Sequence, residues 1–239
     1  MALQLNEQVI PYKEFSRDAT KHSSNLEQMP ALIAEGRVPM SVAGLMDRRL
    51  EVRDAKYSPE VRAAWHDSYF DTGDGILYHP DGKIKIVPDA QVMREINSES
   101  KLSDGALVLP AGAYEAAQGA EFTKEDLKRI IKDSLTRGEA KSNPVWQALA
   151  RDQNRLNAYV DFVFDETQKR FEYNKNMGLY FGSAQKEPTG RLLDLGRLEP
   201  RSYAGGRVRL DGDYGRLVGV APEARAAQSA SERTLEERV

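Results

Sequence analysis

The segment from Asn143 to Asn176, NPVWQALARDQNRLNAYVDFVFDETQKRFEYNKN, constrains this chain most, because it is the longest stretch able to form one regular element. Asn143 supplies a capping side chain, and Pro144 fits a first helical turn, where its missing N–H costs nothing. No Gly or Pro follows until Gly178. Val145, Leu149, Leu156, Tyr159, Val160, Val163 and Phe171 recur at helical spacing, and Trp146 and Phe162 widen the stripe. A stripe of this width must be buried. The expectation is an α+β fold: a long central helix with an antiparallel helix partner, packed against small antiparallel β-hairpins.

The partner is read from Thr123-Lys124-Glu125-Asp126, a capped start with acidic residues at the positive helix end. Leu127, Ile130, Ile131 and Leu135 make its stripe, and Arg137-Gly138 reads as its stop. Ser58-Pro59-Glu60 opens a shorter helix carrying Val61 and Trp65. Val42, Leu45, Met46 and Leu50 form another, followed by the mixed-sign run Asp47, Arg48, Arg49, Glu51, Arg53, Asp54, expected as a solvated face. The organisation expected is an extended N-terminal arm at 1–30, a globular core at 31–187, a Gly/Arg-rich β ribbon at 188–220 and a flexible tail at 221–239.

Composition narrows the chemistry. The chain has 239 residues, 30% charged and 40% hydrophobic, with a net charge of −3. That balance suits a water-soluble protein and gives no bulk attraction to nucleic acid or anionic membrane. The sequence contains no cysteine, which removes disulfides, thiolate nucleophiles and zinc–thiolate sites together. The N-terminal MALQLNEQVIPYKEF lacks a basic leader followed by an unbroken apolar run, so no signal peptide is read and a cytoplasmic chain is expected. No segment has the length and apolarity of a bilayer span.

The most site-like stretch is WHDSYFDTGDGILYHPDG, residues 65–82. His66, Asp67, Asp71, Asp74 and His79 offer imidazole and oxygen ligands of the kind that hold Mg, Mn or Zn, and Gly73 and Gly75 would let the backbone bend around an ion. Their spacing matches neither HExxH nor a calcium loop. The competing reading is a β-hairpin: Ile76 to Val87 alternates around Pro80-Asp81-Gly82, giving one half-buried face with the acids as turn residues. Tyr69 to Asp74 also resembles the Thr-Gly-Asp region of adenylate-forming enzymes, but the phosphate loop of that family has no counterpart here.

Beyond residue 188 the chain becomes rich in Gly and Arg, with Arg201, Tyr203, Arg207 and Arg209 able to contact nucleic acid or an acidic partner. Val208 and Leu210, then Leu217, Val218 and Val220, suggest a hairpin around Asp211-Gly212-Asp213. Three functions follow. The leading one is a non-catalytic structural or protein-interaction protein that self-associates through Trp146, Leu149, Leu156, Val160 and Val163, with no cofactor; another protein partner fits it too. The second is a metal-dependent hydrolase using the His/Asp set. The third is nucleic-acid association through the Arg/Tyr ribbon, which the acidic net charge opposes.

Overall fold

A computed structural model describes residues 3–6, 11–15, 23–54, 56–200 and 202–222. Its elements run β1 (Tyr12–Glu14), α1 (Asn25–Ala34), β2 (Val38–Pro39), α2 (Val42–Glu51), α3 (Pro59–His66), β3 (Phe70–Tyr78), β4 (Ile84–Val87), α4 (Gln91–Arg94), β5 (Leu102–Ser103) and β6 (Ala106–Val108). Then come α5 (Ala113–Ala116), β7 (Ala120–Phe122), α6 (Lys124–Ile130), α7 (Arg137–Ser142), α8 (Pro144–Ala150), α9 (Gln153–Phe171), β8 (Gly178–Phe181), β9 (Thr189–Leu195), β10 (Tyr203–Gly206) and β11 (Val218–Val220).

The stretch from Asn143 to Asn176 is two helices rather than one. Asn143 caps α8 as its composition suggests, its side chain accepting from Val145 N and Trp146 N. Arg151 then takes a left-handed backbone, φ 61°, and ends the helix. Asp152 starts α9 by accepting from Arg155 N. The partner helix is also divided. The Thr123–Asp126 capping box opens α6, but the chain leaves helical geometry at Ile131. Leu135 instead exchanges backbone hydrogen bonds with Asn176, and Thr136 opens α7 with a second capping box to Glu139. Arg137-Gly138 therefore begins a helix instead of closing one.

The main sheet runs β5-β6-β9-β3-β4-β7, with β10 joined to β9 and β8 to β10. All pairings are antiparallel except β8 with β10. The β3–β4 hairpin forms in the register Ile76↔Ile86, but both of its faces are covered. Helices α2, α3, α8 and α9 bury Phe70, Ile76, Tyr78, Leu193 and Leu195 on one side. Helices α1 and α4 cover Leu77 and Leu192 on the other. Even Lys85 is 8% exposed, its ammonium donating to Tyr114 O and Ala117 O.

A second, three-stranded sheet has the order β1-β11-β2 and joins residues near the two ends of the described chain. Residues 12–14 and 25–34 are thus a strand and a helix packed into the body, and residues 189–195 form a central strand of the main sheet. The hairpin expected around Asp211 does not form: 207–217 is an irregular connection, and β11 pairs in the other sheet. The expected tail falls outside the described residues from 223 onward. No helix among the described residues is long and apolar enough to cross a membrane.

Arg49 also departs from expectation. Far from sitting on a solvated face, it is fully buried and donates to Trp65 O, Ser68 O and the Tyr159 hydroxyl at 2.8–2.9 Å. Arg48 is 6% exposed and stacks over Tyr12, Tyr57 and Trp65 while donating to Leu5 O and Glu51. Buried guanidinium groups persist only with partners of this kind.

Candidate functional site

Register builds the site. Asp71 on β3 lies opposite Asp194 on β9, Gly205 on β10 lies opposite Asp194, and Tyr180 on β8 lies opposite Gly205. Directly opposed residues share a face, so these four make one row across four strands. Tyr203, two residues before Gly205, joins the same face, and Arg207 follows as the strand ends. Tyr180, Asp194, Glu199, Tyr203, Gly205, Arg207 and Val208 line a cleft of about 320 Å³.

The walls are aromatic. Tyr180 and Tyr203 meet edge to face at 5.3 Å and 84°. The Arg207 guanidinium lies over Tyr180 at 5.8 Å, held by its Nε donating to Phe181 O at 2.7 Å. The same arginine borders a polar cleft of about 290 Å³, with Asp104, Ser183, Gln185 and Arg191. Arg191 ties the neighbouring loops to β9 there, donating to Arg207 O, Val208 O and Asp104 O.

The floor is a carboxyl group. Asp194 is 2% exposed and hydrogen bonded to Tyr203. Burial, reinforced by the neighbouring Asp71, pushes its pKa up to about 8. Asp71 rises to about 6, burial outweighing hydrogen bonds from Arg216 N at 2.8 Å and Asn25 Nδ2 at 3.1 Å. Of the two, Asp194 holds its proton to the higher pH, because burial and the Asp71 charge act on it together. Gly205 is required against this floor: a Cβ there would lie 2.3 Å from Asp194 Oδ1.

The residues proposed as metal ligands do not converge. His66 Nε2 is 3.0 Å from Arg49 O, its ring packs on Phe162, and burial lowers its pKa. Asp67 pairs with Arg170 at 2.7 Å. Asp71 belongs to the row above. Asp74 accepts from Val42 N, Asp89 N and Arg151, fastening the start of α2 to a bulge in β3. His79 faces Asp81 at 2.8 Å beside Tyr114, at the hairpin end. Gly73 and Gly75 serve close packing, since a Cβ at either would stand 2.7 Å from Pro39 Cγ or Ala90 Cβ. Among the described residues no group of three or more His, Asp or Glu is placed to hold a metal ion.

The self-association set is placed elsewhere too. Trp146, Leu149, Leu156, Val160 and Val163 are all 0–1% exposed inside the chain's own core. A surface already covered by the same chain has nothing to offer a second copy. Of the Arg/Tyr set, Arg201 lies outside the described residues. Arg209 is turned to Asp104 and Asp211, and neither it nor Arg207 sits on a strand. Tyr203 and Arg207 do share one site, both lining the cleft. The sequence reading missed Asp194 and Tyr180. The one local signal was Tyr-Ala-Gly-Gly-Arg at 203–207, where two glycines between an aromatic and a cation mark a close backbone approach.

No family model matches the sequence, and no curated protein does. Among solved structures, the chain is similar to a protein of Nanoarchaeota described as accommodating massive sequence variation by the C-type lectin fold. What the two share is the fold. The TM-score is 0.64 at 16% identity, over 88% of this chain and 97% of the other. A likeness at that identity carries architecture and leaves function to the site.

Proposed function

We propose that this chain is a non-catalytic binding protein that recognises a protein partner through the Tyr180–Tyr203–Arg207 cleft. The observation that carries the reading is the cleft's composition: two tyrosines and an arginine over the buried Asp194 carboxyl, with Glu199 at the side and, among the described residues, no histidine, serine or lysine on the lining. Tyrosine and arginine are the side chains that concentrate binding energy at protein interfaces. Tyr180 and Tyr203 sit on strands, Arg207 is held by its bond to Phe181 O, and Gly205 leaves room for the floor, which keeps the ordering cost of binding small. The nanoarchaeal neighbour, described as accommodating sequence variation, is consistent with a rigid scaffold under a changeable surface. Self-association, expected from the helical stripe, would have to use a different surface. The hydrolase reading would need its five ligands regrouped.

Selection of a displayed peptide library on the purified chain tests the proposal. Selected peptides should lose about tenfold or more in affinity for Tyr180→Ala or Arg207→Ala, as hot-spot truncations do, while the melting curve stays cooperative. Peptides that bind both variants as well as the parent would overturn it.

A further inference from the structure

A second groove lies between α3 and α9, and helical spacing builds both walls. Pro59, Arg62, Ala63 and His66 fall on one face of α3, and Phe162, Glu166, Lys169 and Arg170 on one face of α9. The two faces are joined where the His66 ring meets Phe162 at 5.1 Å and Arg170 meets Asp67 at 2.7 Å. Arg53, from the connection between α2 and α3, adds a further cation, and the groove encloses about 360 Å³.

The charge in this groove is unbalanced. Arg53, Arg62, Lys169 and Arg170 line it against Asp67 and Glu166 alone. Arg170 is taken up by Asp67. Among the described residues, Arg53, Arg62 and Lys169 make no side-chain hydrogen bond or ion pair, which leaves three cations facing one carboxylate on a chain of net charge −3. Scattered surface cations are well solvated. Here they border one concavity whose lining also carries the exposed side chains of Pro59 and Ala63 beside the edge of Phe162, so an anion relieves their mutual repulsion and an apolar body can cover Pro59 and Ala63. Arginine forks match the oxygens of a tetrahedral anion.

We propose that the α3–α9 groove binds a phosphate monoester carried on an apolar or aromatic group. The site is separate from the Tyr180–Tyr203 cleft and does not depend on what that cleft binds. The probe is phenyl phosphate, titrated into isotope-labelled protein at fixed ionic strength with amide shifts as the readout, and inorganic phosphate as a second arm. Saturable shifts confined to residues 53–67 and 162–170 are expected. The double variant Arg62→Ala/Lys169→Ala should weaken binding about tenfold or more with its melting curve unchanged, and Tyr180→Ala should leave it intact. Shifts that never saturate, fall elsewhere or persist in the double variant would overturn the site. Equal affinity for inorganic phosphate would overturn the apolar part of the ligand.

Discussion

Asp194 and Asp71 are opposed carboxyl groups, 2% and 1% exposed, on neighbouring strands. The unfolded chain loses both protons near pH 3.8, whereas the folded chain keeps that of Asp71 to about pH 6 and that of Asp194 to about pH 8. Between those limits the folded state holds more protons than the unfolded one, so stability falls as pH rises, by an amount on the order of a few kcal/mol. The melting temperature should drop from pH 5 through pH 8 and level off about one unit above the Asp194 pKa of about 8. In Asp194→Asn the decline should be centred on Asp71 alone and fade about one unit above its pKa of about 6. A decline unchanged in the variant would show that Asp194 does not hold its proton. None of this was legible locally. Asp194 sits in TGRLLDL and Asp71 in FDTGDG, and only the pairing of strands more than a hundred residues apart brings the two acids together.

At the scale of elements, starts were legible and ends were not. Asn143, Ser58 and Thr123 all act as the caps their residue types suggest, because capping depends on one side chain and the next three amides. Thr136 and Glu139 form the same kind of box and were hidden inside an apparent stripe. The break at Arg151 has no sequence signal, since arginine is a good helix former. Tertiary partners decide it: in the left-handed conformation the Arg151 guanidinium reaches Asp74 at 2.5 Å and Asp89 at 3.3 Å. This yields a test in which the usual order of propensities inverts. In a continuous helix, alanine at 151 would be more stable than glycine by about 1 kcal/mol. At a left-handed position glycine avoids a cost of about 1 kcal/mol that alanine bears, and both lose the arginine contacts equally. Denaturant melts should therefore rank Arg151→Gly above Arg151→Ala. The reverse ranking would mean that one helix runs through the segment.

At the scale of the whole molecule, the sequence conveyed that a wide apolar stripe exists but not what covers it. Trp146, Leu149, Leu156, Val160 and Val163 meet α2, α7 and the main sheet instead of a second chain. The reason is visible in the sheet. Strands β3 and β9 are buried along their whole lengths, so each face needs a layer, and α8 and α9 supply most of one. Leu156→Asp separates the two arrangements. Leu156 has no exposed surface, so a carboxylate there is both desolvated and unpaired, at a cost of about 4 kcal/mol or more, a large part of the stability of an ordinary domain. The variant should lose its cooperative melt, with near-ultraviolet dichroism collapsing at all protein concentrations. A variant that stays folded and only sediments at a lower mass than the parent would place the stripe at an interface between copies after all.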